Sequence, residues 1–185
     1  MLAVAVLGGA PAQPAGDTPG ADQSPPPSSQ PATKDSAQDS TKAVGNFGNW
    51  TLLCGRAGPD EERCSLVLTL LERESQKLLF RVVVTYGPRG DLVLRVDSPT
   101  GVALQRGVEF SPDTKKIYRM AFQTCLPVGC KALLLIPDKL KTSLVASKQG
   151  SITVYALNGT AVRAGADLAG LADGLVALDK RRAGQ

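Results

Sequence analysis

Apolar and polar residues alternate through most of this chain, and a period of two is the period of a strand. In Gln76–Gly87, Leu78, Phe80, Val82, Val84 and Tyr86 share one face, Arg81 and Thr85 the other, with Leu79 and Val83 between them. Gly87-Pro88-Arg89-Gly90 turns the chain, and Leu92, Leu94 and Val96 then oppose Asp91 and Arg95, which reads as a hairpin. Lys116–Cys125 sets Tyr118, Met120 and Phe122 against Arg119 and Gln123, and Lys131–Ile136 follows after a Leu-Pro-Val-Gly turn. Ile152–Leu157 and Thr160–Ala164 flank Asn158-Gly159, a pair suited to a two-residue type I′ turn. Upstream, Phe47–Cys54 and Arg63–Glu72 make another pair.

Two stretches depart from this period. Pro137–Lys148 begins with a proline at a favourable first helical position and spaces Leu140 and Leu144 by four. Ala166–Lys180 places Leu168, Leu171, Leu175 and Leu178 on one helical stripe, with Lys180, Arg181 and Arg182 at the favoured C-terminal end. Gly170 and Gly174 would each weaken that helix by roughly 1 kcal/mol relative to Ala. The expected fold is mainly β: an antiparallel sandwich or curled sheet of about eight or nine strands, with short helices near 137–147 and 167–180.

The 185 residues are not uniform. Residues 11–45 hold seven of the thirteen prolines and no aromatic residue, whereas all eight aromatics lie between Phe47 and Tyr155. Such a segment cannot bury enough apolar area to offset its ordering entropy. Residues 1–12 end in Ala10-Pro11-Ala12 after an uncharged apolar run, which resembles the hydrophobic and cleavage regions of an export signal without its basic start. The expected organisation is a signal-like segment at 1–12, a disordered tether at 13–45, one β domain at 46–180 and a tail at 181–185. Residues 1–45 carry two lysines against four aspartates, whereas the rest carries nineteen basic and thirteen acidic residues, a net +6. No stretch approaches the ~20 apolar residues that a membrane-spanning helix requires.

The four cysteines stand as Cys54-x9-Cys64 and Cys125-x4-Cys130. The first spacing is too wide for a zinc knuckle, and there is no redox CxxC. Beside an export-like start, the favoured reading is two local disulfides, one of three possible connectivities; buried free thiols, or metal or redox use, are the alternatives. No metal or cofactor is expected.

The chemistry is bounded by absences. Without a histidine, the chain has no Ser-His-Asp or Cys-His nucleophile, no HExxH zinc site and no imidazole shuttle. It also has no GxGxxG, GxxxxGK[ST], GxSxG or SxxK. Paired carboxylates support glycoside hydrolysis without histidine, and Glu61, Glu62, Glu72, Glu74 and Glu109 are the candidates, each reading more simply as a solvated side chain. Lys115, Lys116, Arg119 and Lys131 suggest one basic patch; Lys139, Lys141 and Lys148 suggest another. A single-strand nucleic-acid binder interleaves such charge with exposed aromatics, but here Tyr118 and Phe122 lie on the face opposite Arg119 and Gln123. Nucleic acid is therefore not an expected partner, and peripheral attraction to an anionic envelope surface fits the charge better.

Three blocks stand out: Phe47-Gly48-Asn49-Trp50-Thr51-Leu52-Leu53-Cys54 with Cys64; Pro99-Thr100-Gly101-Val102 with Gly107-Val108; and Phe122-Gln123-Thr124-Cys125-Leu126-Pro127-Val128-Gly129-Cys130. Together they resemble the invasion-associated locus B family of bacterial envelope proteins. A closing Leu168-Ala169-Gly170-Leu171 also fits, while Asn49 departs from the acidic residue common there. The resemblance implies an exported, disulfide-containing, mostly β protein of the periplasm or outer envelope. It supplies no catalytic residues. Its shared positions match those read above as structural: Phe47, Trp50 and Phe122 as core, Gly101, Pro127 and Gly129 as turns, and the cysteines as staples. The expected function is a non-catalytic binding or structural role, with envelope or host-surface components as partners and loops 55–63 and 86–91 as contact candidates. The competing expectations are a carboxylate enzyme acting on envelope glycans and a thiol-active envelope protein.

Overall fold

The structure is a computed structural model that describes residues 41–56, 58, 61–113 and 116–184. The signal-like segment, all but the last five residues of the tether, and Lys115 lie outside the described residues.

Ten strands form one antiparallel sheet: β1 (Lys42–Phe47), β2 (Trp50–Arg56), β3 (Glu62–Leu71), β4 (Leu78–Tyr86), β5 (Leu92–Ser98), β6 (Val108–Ser111), β7 (Tyr118–Leu126), β8 (Gly129–Leu135), β9 (Gln149–Tyr155) and β10 (Ala161–Asp167). Their order across the sheet is β1-β2-β3-β4-β5-β8-β7-β6-β9-β10, so β1 and β10 are its two edges and the sheet does not close. Helices α1 (Asp138–Ala146) and α2 (Leu171–Ala183), with one 3-10 turn at Leu104–Arg106, complete the described fold. The mainly β curled sheet with two helices is as expected, with more strands than the eight or nine read from the alternation. One addition is β1, whose first residues were assigned to the tether. Among the described residues the first strand begins at Lys42.

One contiguous core gathers the inward residues of both sheet halves: Trp50, Leu66, Phe80, Val84 and Leu94 from one, Phe110, Met120 and Ile152 from the other. Leu140 and Leu144 of α1, and Leu171, Leu175 and Leu178 of α2, lie within it. Gly174 is why α2 sits so close to β3: a β-carbon there would lie 2.8 Å from the Leu66 side chain. Leu78, expected on the inner face, is exposed, because the register with β3 slips between Leu70 and Leu71 and turns it outward. Phe122 packs half-buried against the core and not within it, where β7 bulges before Thr124.

The turns follow their glycines. Gly48 (φ +59°) takes the first central position of the two-residue β1–β2 turn, as a type II′ turn demands. The Asn158-Gly159 hairpin is not the expected two-residue type I′ turn. Ala156 N–H donates to Thr160 O at 2.8 Å and Gly159 N–H to Ala156 O at 2.8 Å, and of the two central residues only Gly159 has positive φ. This is a three-residue loop, a type I turn closed by a left-handed glycine. The β4–β5 loop repeats the pattern, with Gly87 N–H donating to Asp91 O and Gly90 at φ +84°.

The α2 boundary also shifts. Leu168 is buried but precedes the helix, which begins at Leu171, and Gly170 is its left-handed N-cap (φ +83°) instead of an interior residue. Arg181 and Arg182, expected in a tail, belong to the last turn of the helix.

Both cysteine pairs are local disulfides between directly opposed strand residues, Cys54–Cys64 across β2 and β3 and Cys125–Cys130 across β7 and β8. Cys125–Cys130 clamps a turn made of Pro127 and Val128, closed by Gly129 (φ +143°), whose missing side chain leaves room for Ser98 O. Replacing either pair with serines is expected to cost roughly 2–3 kcal/mol, somewhat more for the longer Cys54–Cys64 loop. Urea unfolding of the two double variants checks the amount and the order.

Candidate binding site

Of the two loops named from the sequence, 55–63 and 86–91, residues 61–63 of the first and 86–90 of the second lie together at one end of the sheet. Between them and the end of α2 lies a cleft of ≈ 540 Å³, lined by Glu61, Glu62, Arg63, Tyr86, Pro88, Arg89, Gly90 and Arg182 among others. The Cys54–Cys64 bridge fixes its floor at the β2–β3 end.

Tyr86 organises the cleft. Its phenol O–H donates to Asp179 Oδ1, and the Arg182 guanidinium lies over its ring at 4.3 Å from the centroid. Arg182 also donates from Nη1 to Gly90 O at 3.3 Å. A β-carbon on Gly90 would come within 2.6 Å of the Arg182 side chain, so the left-handed glycine both closes the loop and admits the arginine. Arg181 reaches Glu62 at 3.8 Å, and Glu61 pairs with Arg63 at 2.8 Å. Arg89, 86% exposed, stands at the rim and approaches Asp91 at 3.8 Å.

Burial raises the Tyr86 pKa above 10.0, the hydrogen bond to Asp179 and its charge add to this, and Arg182 opposes both. An acid whose folded pKa is raised contributes its stability in full below its unfolded pKa and loses it as pH rises through the folded value. Wild type should therefore lose an increment of stability above about pH 10 that Tyr86→Phe does not lose. Denaturant midpoints of the two proteins from pH 8 to 11 check this.

Of the carboxylate candidates, Glu61 and Glu62 both line the cleft. Glu61 and Glu62 are held by arginines in the cleft; Glu72 accepts from Ser75 and Glu74 lies exposed in the same turn. Glu109, on the outward face of the β6 half, accepts from Tyr155 O–H at 3.2 Å and pairs with Arg119 at 3.4 Å. Cys54, Glu62 and Cys64 cluster closely enough to suggest a cation, but both sulfurs are spent in a disulfide and are not thiolate ligands. Of the first basic patch, Arg119 pairs with Glu109, the register sets Lys131 opposite Thr124, further along β7, and Lys115 lies outside the described residues. Lys139 and Lys141 lie on α1 with Lys148 shortly after it.

Sequence reasoning missed the contribution of α2. Lys180, Arg181 and Arg182 read as complements to the helix dipole, and nothing in the pattern joined Arg182 to Tyr86, 96 positions earlier. A second groove, of ≈ 930 Å³, runs between the outer side of β2 and β3 and the edge strand β10. It was also unforeseen.

Among protein families, the Invasion associated locus B (IalB) protein family matches residues 50–179. The chain belongs to the invasion associated locus B family. No curated protein matches it. Among solved structures, it is similar to the crystal structure of invasion associated protein b from Bartonella henselae, with a TM-score of 0.66 at 17% identity, covering 77% of this chain and 96% of that one. That likeness is one of fold. The three locus B sequence blocks occupy the β1–β2 hairpin with its link to β3, the connection from β5 to β6, and the β7–β8 hairpin. Each carries at least one glycine at positive φ: Gly48, Gly101 and Gly107, and Gly129. Gly107 is the tightest of these, since a β-carbon there would lie 2.4 Å from Met120 O.

Proposed function

We propose that this locus B protein acts outside the cytoplasm as a non-catalytic binding protein of the bacterial envelope, its partner an envelope or host-surface component. The observation that carries the reading is the convergence of residues 61–63, the loop 86–90 and the end of α2 on one cleft, built on a strand pair that a disulfide staples. Loops on a rigid sheet are where binding residues concentrate. Two disulfides favour an oxidising compartment, and among the described residues no helix is long and apolar enough to cross a membrane. The non-catalytic reading is supported by the state of the acids, since glycoside hydrolysis needs one carboxyl held protonated and a second free to attack or to activate water. Glu61 and Glu62 instead meet arginines, at 2.8 and 3.8 Å. A thiol-active role finds no support in cysteines that are all paired across strands.

Co-sedimentation of the full chain with isolated bacterial envelope fractions, and with host-cell membranes, tests this. Saturable binding to one of them is expected. Failure to bind either removes the reading.

A further inference from the structure

We propose that the tip of the β7–β8 hairpin, with the connections beside it, docks onto the surface of an anionic phospholipid bilayer. This surface is separate from the loop cleft. β5 starts beside the cleft loop at Leu92 and ends at Ser98, which pairs with Cys130 of the hairpin, about 20 Å away along an extended strand. The tip is Leu126-Pro127-Val128-Gly129. Val128 is 90% exposed, Leu126 and Pro127 are also exposed, and among the described residues neither Leu126 nor Val128 packs against the core. The Cys125–Cys130 bridge stands directly behind the tip, and Gly129 lets it sit close to Ser98 O. Large aliphatic side chains held out in water in this way mark a contact surface.

The apolar surface continues onto the neighbouring connections. Residues 99–107 leave β5 beside the hairpin and carry the exposed Leu104. Leu157, in the β9–β10 loop, is 77% exposed and donates its N–H to Gly101 O at 3.2 Å. Ala103 N–H donates to Tyr155 O at 2.7 Å, so these two connections are tied together. None of the segments 99–107, 126–129 and 156–160 contains an acidic residue.

The charge behind the tip is positive. Arg81, Asp97 and Lys131 lie opposite one another on the outward face of β4, β5 and β8, and Arg95 pairs with Asp97 at 2.9 Å. Three cations thus surround one acid. Arg106, in the connection 99–107, lies over the Tyr155 ring at 3.5 Å from the centroid and adds a fourth. The β3–β4 turn at the same end is neutral, with Glu72 and Glu74 against Arg73 and Lys77, and Glu109 is matched by Arg119. Lys131 is three residues beyond Val128, no more than about 10 Å along the strand. Apolar groups of interfacial proteins sink roughly 5–10 Å into the headgroup boundary, a depth that brings Lys131 to the level of the lipid phosphates. An apolar pocket on a protein could receive the same tip but would not call for cations behind it, so the charge favours an anionic bilayer.

Co-sedimentation of the full chain with synthetic vesicles tests the docking, with phosphatidylglycerol mixed into phosphatidylcholine compared against phosphatidylcholine alone. At low salt, binding to the anionic vesicles is expected to be at least about tenfold tighter, and to weaken as salt is raised. Val128→Asp changes a side chain that touches almost nothing, so it should leave the melting temperature unchanged and weaken binding about tenfold or more. Lys131→Gln should weaken binding to the anionic vesicles about fivefold. These vesicles carry no protein or glycan, so their result stands apart from that of the cleft, which is read on native membranes. No binding to anionic vesicles, equal binding to both kinds, or full binding by Val128→Asp or Lys131→Gln would each overturn the proposal.

Discussion

Gly170→Ala should lower stability by about 3 kcal/mol or more, a large effect for the addition of one methyl group. Two costs coincide at this position. At φ +83° an L-residue pays about 1–2 kcal/mol for the left-handed backbone. The new β-carbon would also lie 2.4 Å from Phe47 O and 2.5 Å from Phe47 C, so the backbone of the β1–β2 turn would have to move away. A β-carbon on Gly48, on the other side of this contact, would lie 2.7 Å from Ala169 O. The two glycines let the first hairpin sit directly on the start of α2. Gly101→Ala is the matched control, because Gly101 has nearly the same φ, +84°, and nothing within 4 Å of the added carbon. It should cost only the backbone penalty, about 1 kcal/mol. Thermal unfolding of the pair should show a drop of roughly 10 °C for Gly170→Ala and about 3 °C for Gly101→Ala. Equal drops would mean that the hairpin and the helix are not in the contact described.

Trp50→Ala should cost about 3–5 kcal/mol, the range for emptying a large aromatic site. Trp50 is 1% exposed, opens β2, packs in the shared core and donates its indole N–H to Asp167 O. It therefore joins the first strands to the last in a sheet whose two edges are not hydrogen-bonded to each other. Trp50→Phe separates the two contributions. It keeps most of the apolar volume and loses the donor, so a loss of about 1–2 kcal/mol is expected. Urea midpoints of wild type and both variants measure the split. A Trp50→Phe loss as large as that of Trp50→Ala would place the stabilisation in the hydrogen bond and not in the packing.

Much of this fold was legible because its strands alternate cleanly. Leu92, Leu94 and Val96 are buried as the pattern required, and the local cysteine spacings matched pairs opposed across neighbouring strands. Where reading failed, a longer-range constraint had prevailed over the local one. Asn158-Gly159 suits a tight two-residue turn, but the register Ala161↔Tyr155 leaves room for three loop residues, and only the glycine needs positive φ. Leu168 lies on the helical stripe, yet β10 runs through Asp167 and leaves Gly170 to reverse the chain into α2. Such a glycine reads as a helix weakener until the neighbouring Phe47 carbonyl is known.

The cleft was legible only in part. Its two loops could be named as connections at the ends of the expected strands. That Arg182 would stack on Tyr86 and bond Gly90 O could not, because the contact depends on how α2 crosses the inner face of the sheet, and that crossing is set by the close approach of Gly174 to Leu66. The groove along β10 is a property of sheet order, which no local pattern in the strands records.

The proposed recognition of a partner through the cleft between residues 61–63 and the loop 86–90 is tested most directly by a charge exchange, Glu61→Arg with Arg89→Glu, since the net charge of the chain is unchanged and both side chains lie more than half exposed. Such surface changes should leave the melting temperature within a few degrees of wild type. Binding to whichever envelope or host membrane retains wild type should fall about tenfold or more. Undiminished binding by the exchanged protein would contradict the account.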